Sequence, residues 1–185
     1  MYALITGASS GCGYEYACLL AAKGYDLLIV SNEEAIHNKA SLLRNIYPVN
    51  VQSLVMDLGK QDAAKALYDY CQEHEMSVEV LINNAGVYHD RDFLSDSEAF
   101  NQMILNLHMV TPAMLIYYFA QDMAKRGKGY VLNMCSITAN IAVQRLSTYG
   151  ATKAFLQNFS RSVYIELKDK GVIITNVTPG AINTG

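Results

Sequence analysis

Y-A-L-I-T-G-A-S-S-G-C-G, Tyr2 to Gly13, is the stretch that decides the fold. Tyr2 to Thr6 is a short apolar run that reads as a strand; three glycines follow, Gly7, Gly11 and Gly13, at the head of a helical pattern that reaches Lys23. Glycines at such a junction permit a tight turn and close backbone approach. The helix N-terminus behind them offers free N–H groups and the positive end of a dipole to a pyrophosphate. No Gly-Lys-Ser/Thr follows, so the loop is not a P-loop.

Outward from this unit the chain keeps alternating short apolar runs with longer helical patterns, the signature of β-α-β units and a parallel sheet. Further strands are predicted at Asp26 to Val30, Gln52 to Met56, Val78 to Ile82, Tyr130 to Met134 and Val172 to Val177. Helices are predicted near Gly13 to Lys23, Glu33 to Tyr47, Gln61 to Glu75, Phe100 to Lys125 and Thr148 to Lys168. Pro112 interrupts the fourth and predicts a kink or junction, because its nitrogen cannot donate to the carbonyl of His108. Gly24 and Gly171 stand where helices should stop. Right-handed crossovers through these units give a doubly wound α/β sheet ordered 3-2-1-4-5-6, with a ligand crevice at the carboxyl ends of strands 1 and 4. No linker, repeat or low-complexity tract divides residues 1–185, so one domain is expected.

Composition narrows the function. With 185 residues, 51% of them hydrophobic, and a net charge of only -3, the chain is large enough to bury a substantial core. It carries no basic run that would follow a nucleic-acid backbone, so no nucleic-acid partner is expected. Its apolar stretches, such as Leu27 to Val30 and Met114 to Ala120, are shorter than a membrane helix needs, so no membrane partner is expected either. The start runs straight into a strand without a secretory n-region, which makes cytoplasm the expected compartment. Cys12, Cys18, Cys71 and Cys135 show no C-x-x-C spacing, so neither a disulfide framework nor a metal site is expected.

A second constellation lies in the last third. Ser136 precedes S-T-Y-G-A-T-K, which puts Tyr149 and Lys153 one helical turn apart on the same face. A tyrosine with an ordinary pKa near ~10 carries protons poorly at neutral pH, and Lys153 is placed to favour its phenolate. A shift of ~3 units needs about 4 kcal/mol, which a unit charge at ~4 Å supplies in an effective dielectric of ~20. Alone, a Tyr and a Lys four apart describe many solvated helix faces. The glycine loop and Ser136 turn the pair into a candidate apparatus for moving a hydride and a proton.

With these residues in place, the chain resembles the short-chain dehydrogenase/reductase family, in the compact branch whose glycine motif is T-G-x-x-x-G-x-G, over essentially its whole length. Thr6 to Gly13 matches the glycine motif, Asn83-Asn84-Ala85-Gly86 the N-N-A-G element, Asn106 the helix asparagine, and Ser136, Tyr149 and Lys153 the catalytic set. Pro179-Gly180 followed by Thr184 matches the P-G-x-x-x-T segment. The resemblance implies a Rossmann-type fold and an oxidoreductase that interconverts a ketone or aldehyde with an alcohol, using NADP or NAD. Tyr149 would be the acid in reduction and the base in oxidation, Ser136 would hold the substrate oxygen, and Lys153 would lower the tyrosine pKa and bind the nicotinamide ribose. Asn106 would hold a water that links Lys153 to solvent. The dinucleotide would meet Gly7, Ser9, Ser10, Gly11, Cys12 and Gly13 of the loop, Asn32 after strand 2, and Asp57 and Leu58 after strand 3. It would further meet Asn83, Ala85 and Gly86, then Tyr149 and Lys153, and last Pro179, Gly180, Ile182 and Thr184.

The match thins at cofactor choice. Ser31 and Asn32 stand where an Asp would select NAD or an Arg NADP, and the neutral donors tip the expectation slightly to NADP. His89 and His108 are expected near the cleft edge. Family members pack two long helices against a partner subunit, which implies a homodimer or homotetramer with Phe155, Phe159 and Val163 as contacts. They also usually continue into a substrate-covering loop and a seventh strand, so a tail is expected beyond Gly185. Two further readings stay open beside the ketone reductase: a 3-oxoacyl-carrier reductase, and a non-catalytic dinucleotide-binding scaffold.

Overall fold

Apolar strands flanked by amphipathic helices bury themselves most completely when the sheet is covered on both sides, and this chain does so. A computed structural model describes residues 1–88 and 90–180, so Ile182, Thr184 and His89 lie outside the described residues. β1 (Tyr2–Thr6), β2 (Asp26–Ser31), β3 (Val51–Val55), β4 (Val78–Asn83), β5 (Gly129–Met134) and β6 (Val172–Val177) form one parallel sheet in the order β3-β2-β1-β4-β5-β6. Between them run α1 (Gly11–Ala22), α2 (Ile36–Ile46), α3 (Ala63–Glu73), α4 (Glu98–Leu105), α5 (Thr111–Arg126) and α6 (Ser147–Leu167). The order is the one the sequence predicts.

Side chains of successive strand residues leave opposite faces of the sheet, and the core divides accordingly. Ala3, Ile5, Leu27, Ile29, Val80 and Ile82 meet Ala17 and Ala21 of α1 and Ile36, Ala40 and Leu43 of α2. Leu4, Leu28, Val30 and Leu81 meet Leu67 of α3 and Leu115, Ile116, Phe119 and Met123 of α5, with Phe159 and Val163 of α6 packed alongside. Phe159 and Val163 thus serve the core of their own chain, while Phe155 remains 36% exposed.

The junction expected at Pro112 is a π-turn. Asn106–Val110 joins α4 to α5, and Pro112 is the second residue of α5, directly after the π-turn, so its missing donor falls where the i→i−4 pattern is already interrupted. The continuous run Glu98–Arg126 is long and apolar enough to cross a membrane by length and composition, which the apolar stretches of the sequence alone did not suggest. In this fold it is a core helix, with Leu115, Ile116, Phe119 and Met123 all buried.

Chain order reverses between β1 and β4, which lie side by side, and the loops leaving their carboxyl ends diverge into a crevice. Thr6 closes its floor: its Oγ1 donates to the Ile82 carbonyl and accepts from Asn84 N and Ala85 N. Asn84 Nδ2 returns hydrogen bonds to the Thr6 and Gly7 carbonyls.

Candidate active site

The glycine loop is built by close approach. Gly7 has φ +67°, and a Cβ there would lie 2.7 Å from the Ala85 Cα; one on Gly13 would lie 2.2 Å from the Gly7 carbonyl oxygen. No side chain larger than hydrogen fits either place, so strand, loop and helix stay in contact. Ser10 precedes α1 in extended conformation and its side chain does not cap the helix, and the first turn holds no acidic residue. The free amides at that helix end face a cleft of about 670 Å³ whose walls include Gly7, Ser10, Gly11 and Cys12 on one side and Ser136, Tyr149 and Lys153 on the other. An uncapped, acid-free helix N-terminus opening into a cleft fits a dinucleotide pyrophosphate.

β5 ends at Met134 and delivers Ser136 in extended backbone; its Oγ accepts from Thr138 N at 3.2 Å and Thr138 Oγ1 at 2.9 Å. α6 presents Tyr149 and Lys153 on one face, with Lys153 Nζ 5.7 Å from the centre of the phenol ring. Lys153 is 6% exposed and donates to the Met134 carbonyl at 2.7 Å. Its burial pulls the ammonium down to about 8.

The structure does not show the expected lowering of the phenol by its neighbour. Burial raises Tyr149 above its ordinary value, the Ser136 hydroxyl opposes this in part, and nearby Tyr88 and Cys135 add to the rise.

Among the other sequence candidates, Gly86, Pro179 and Gly180 line the cleft. Ala85 and Gly13 lie behind the glycine loop, pressed against Gly7. Ser9 Oγ accepts from Ser31 Oγ at 3.1 Å, and Ser31 Oγ accepts from Glu33 N, beside an exposed Asn32. Asp57 is exposed and its carboxylate accepts from Gly59 N, while Leu58 is buried in the core. Asn106 Nδ2 donates to the Gly59 carbonyl at 3.1 Å and its Oδ1 accepts from Gln102, so its side-chain amide is engaged with the loop after β3 and with its own helix. Asn83 lies beneath the cleft: Nδ2 donates to Asn133 Oδ1 at 2.8 Å, and Asn133 Nδ2 donates to Ser160 Oγ and to Asn176 Oδ1. This asparagine ladder across β4, β5 and β6 escaped the sequence reading, since only strand register aligns its members.

His108, expected near the cleft edge, lies directly behind the cleft-lining Gly86 and Tyr149. It is 1% exposed, and burial with the Lys153 charge nearby pulls its pKa down to about 3. Tyr88, Ile137, Ile141, Val143 and Leu146 make a further part of the cleft wall apolar. Among the described residues, Lys153 is the one charged side chain in its lining.

Comparison with known proteins places this geometry. The family model for short chain dehydrogenase matches residues 1–185. Very-long-chain 3-oxoacyl-CoA reductase-A of Danio rerio is 30% identical over 188 residues, covering 99% of this chain and 58% of that protein. The Homo sapiens protein named inactive hydroxysteroid dehydrogenase-like protein 1 is 27% identical over 188 residues, covering 99% of this chain and 56% of its own. The chain therefore spans less than two thirds of these curated relatives. A short-chain dehydrogenase from Sphingobium yanoikuyae, solved in complex with NADPH, is similar with a TM-score of 0.93 and 30% identity, over 99% of this chain and 72% of that one.

Proposed function

The chain belongs to the short chain dehydrogenase family, and on that premise we propose that it interconverts an apolar ketone or aldehyde with the corresponding alcohol, Tyr149 giving or taking the proton. The observation that carries this reading is the meeting of Ser136, Tyr149 and Lys153 with the uncapped α1 N-terminus around one cleft. A nicotinamide dinucleotide, when bound, supplies or accepts the hydride. The amides of Ser10, Gly11 and Cys12 would hold its pyrophosphate and Lys153 its ribose. Ser31 and Asn32 would meet the adenosine ribose, and the absence of an acid at these two positions favours NADP slightly over NAD.

The chain's own residues account for the rest. A phenol held above its ordinary pKa keeps its proton at neutral pH, the state from which it can give that proton to a carbonyl oxygen in reduction. The Ser136 hydroxyl, adjacent to that phenol, orients the carbonyl oxygen toward it. Tyr88, Ile137, Ile141 and Val143 line the cleft and favour an uncharged, apolar substituent on the carbonyl carbon.

A 3-oxoacyl thioester is the second reading, favoured by the zebrafish relative and by an apolar wall able to receive an acyl chain. The name of the human relative keeps a third in view, a dinucleotide-binding protein without turnover. Fluorescence titration with NADH and NADPH, followed by a panel of alkyl and aryl ketones beside 3-oxoacyl thioesters, separates the three. Turnover of free ketones supports the first, turnover confined to thioesters the second, and binding without turnover the third. The exposed Phe155, stacked on Phe159, is the proposed centre of a homodimer or homotetramer contact.

A further inference from the structure

We infer that His108 is the positioning residue that fixes the Tyr149 phenol and locks it to the loop after β4. The inference rests on the proposed role of Tyr149 as proton carrier. The π-turn Asn106–Val110 carries His108 inward, between that loop and α6. Val87 N donates to His108 Nε2 at 2.9 Å, and His108 Nδ1 lies 3.2 Å from Thr152 Oγ1. Thr152 Oγ1 in turn donates to the backbone carbonyl of Tyr149 at 2.7 Å.

These contacts leave one assignment of the protons. A backbone N–H can only donate, so Nε2 is the lone-pair nitrogen and the neutral ring carries its hydrogen on Nδ1. The Thr152 hydroxyl spends its hydrogen on Tyr149, so its oxygen accepts from His108 Nδ1. Both ring nitrogens are thereby satisfied in a site closed to water, which suits a strut and leaves no free nitrogen for proton exchange with substrate.

The ring also touches the phenol itself. His108 and Tyr149 meet edge to face with centroids 5.7 Å apart and planes at 77°, and Tyr88, the neighbour of Val87, meets Tyr149 at 5.6 Å and 79°. Tyr149 is therefore held between two rings, one of which is His108 and the other hung on the segment that His108 fastens. Gly86 makes room for this, since a Cβ there would lie 3.0 Å from His108 Nε2. No non-polar residue can replace this link, because it would leave the Val87 N–H without an acceptor.

The test compares His108→Phe, His108→Gln, Tyr149→Phe and the Phe/Phe double variant of the full chain, using NADPH and the best ketone of the panel. The expected result for His108→Phe is a loss of kcat of about tenfold or more, with NADPH affinity within about threefold of wild type. His108→Gln, whose amide oxygen can accept from Val87 N, recovers part of the loss. In the Tyr149→Phe background the change at 108 has no further effect. A folded His108→Phe with wild-type kcat overturns the inference, and so does an equal loss in both backgrounds. Tyr149→Phe with wild-type turnover overturns the role of the tyrosine instead, which keeps the two failures apart. Should His108→Phe not fold, imidazole ¹⁵N spectra of the wild type decide: a ring protonated at Nδ1 and unchanged between about pH 5 and 9 is expected. A ring that titrates in that range, or carries its proton on Nε2, overturns it.

Discussion

Lys153 stands beside Tyr149 with Nζ 5.7 Å from the centre of the phenol ring, yet it gives its hydrogen bond to the Met134 carbonyl at 2.7 Å. Neighbourhood on a helix face therefore does not by itself make the phenol acidic. Burial raises Tyr149 and lowers Lys153 to about 8, so near neutral pH the tyrosine is protonated and the lysine largely charged.

The raised phenol predicts a directional pH dependence. Carbonyl reduction should hold its rate between about pH 6 and 8, while alcohol oxidation, which needs the phenolate, should climb with pH through that range. Profiles of kcat in both directions check this, and an oxidation rate that peaks near pH 6 would contradict it.

Lys153 predicts a stability change on the alkaline side. Its folded pKa of about 8 lies below the ordinary 10.5, so the unfolded chain binds its proton more tightly. Relative to Lys153→Met, the wild type should gain stability as pH rises from about 8 to 10.5, by at most roughly 3 kcal/mol. Paired denaturant titrations across that window measure the difference, which should be flat below it.

His108 predicts the complementary change in acid. Its folded value of about 3 lies below the ordinary 6.5, so its contribution is fully present above 6.5 and is lost as pH falls toward 3. Wild type should lose up to about 5 kcal/mol across this interval relative to His108→Gln. Acid titrations of the two proteins followed by circular dichroism test it; superimposable curves would deny the buried neutral ring.

Asn133 is fully buried and joins Asn83, Ser160 and Asn176. Asn133→Ala removes these bonds and leaves buried polar partners unpaired, so a loss of about 2–4 kcal/mol is expected in urea unfolding. A loss under about 1 kcal/mol would show that the ladder contributes little.

Local pattern explains what the sequence disclosed. Tyr2–Thr6 and Val172–Val177 are strands over the ranges read from their apolar runs, and right-handed crossovers with the doubly wound pattern gave the order of the sheet. α1 starts at Gly11, ahead of the reading, and that glycine takes φ +53°, where a side chain would be strained. Pro112 announced a break, but its form, a π-turn over Asn106–Val110, lay beyond the local pattern because α4 packs on α6 while α5 packs on the sheet. His108 looked peripheral because its partners, Val87 and Thr152, are 21 and 44 residues away in sequence. The sign of the Tyr149 shift was hidden for the same reason, since desolvation depends on everything packed around the ring.

The most direct measurement is single-turnover reduction of the best ketone by NADPH in Tyr149→Phe beside the wild type, with NADPH affinity taken on the same samples. Loss of the transferable proton should slow the step by about a hundredfold or more while affinity stays within about threefold. A Tyr149→Phe rate close to that of the wild type would contradict the account.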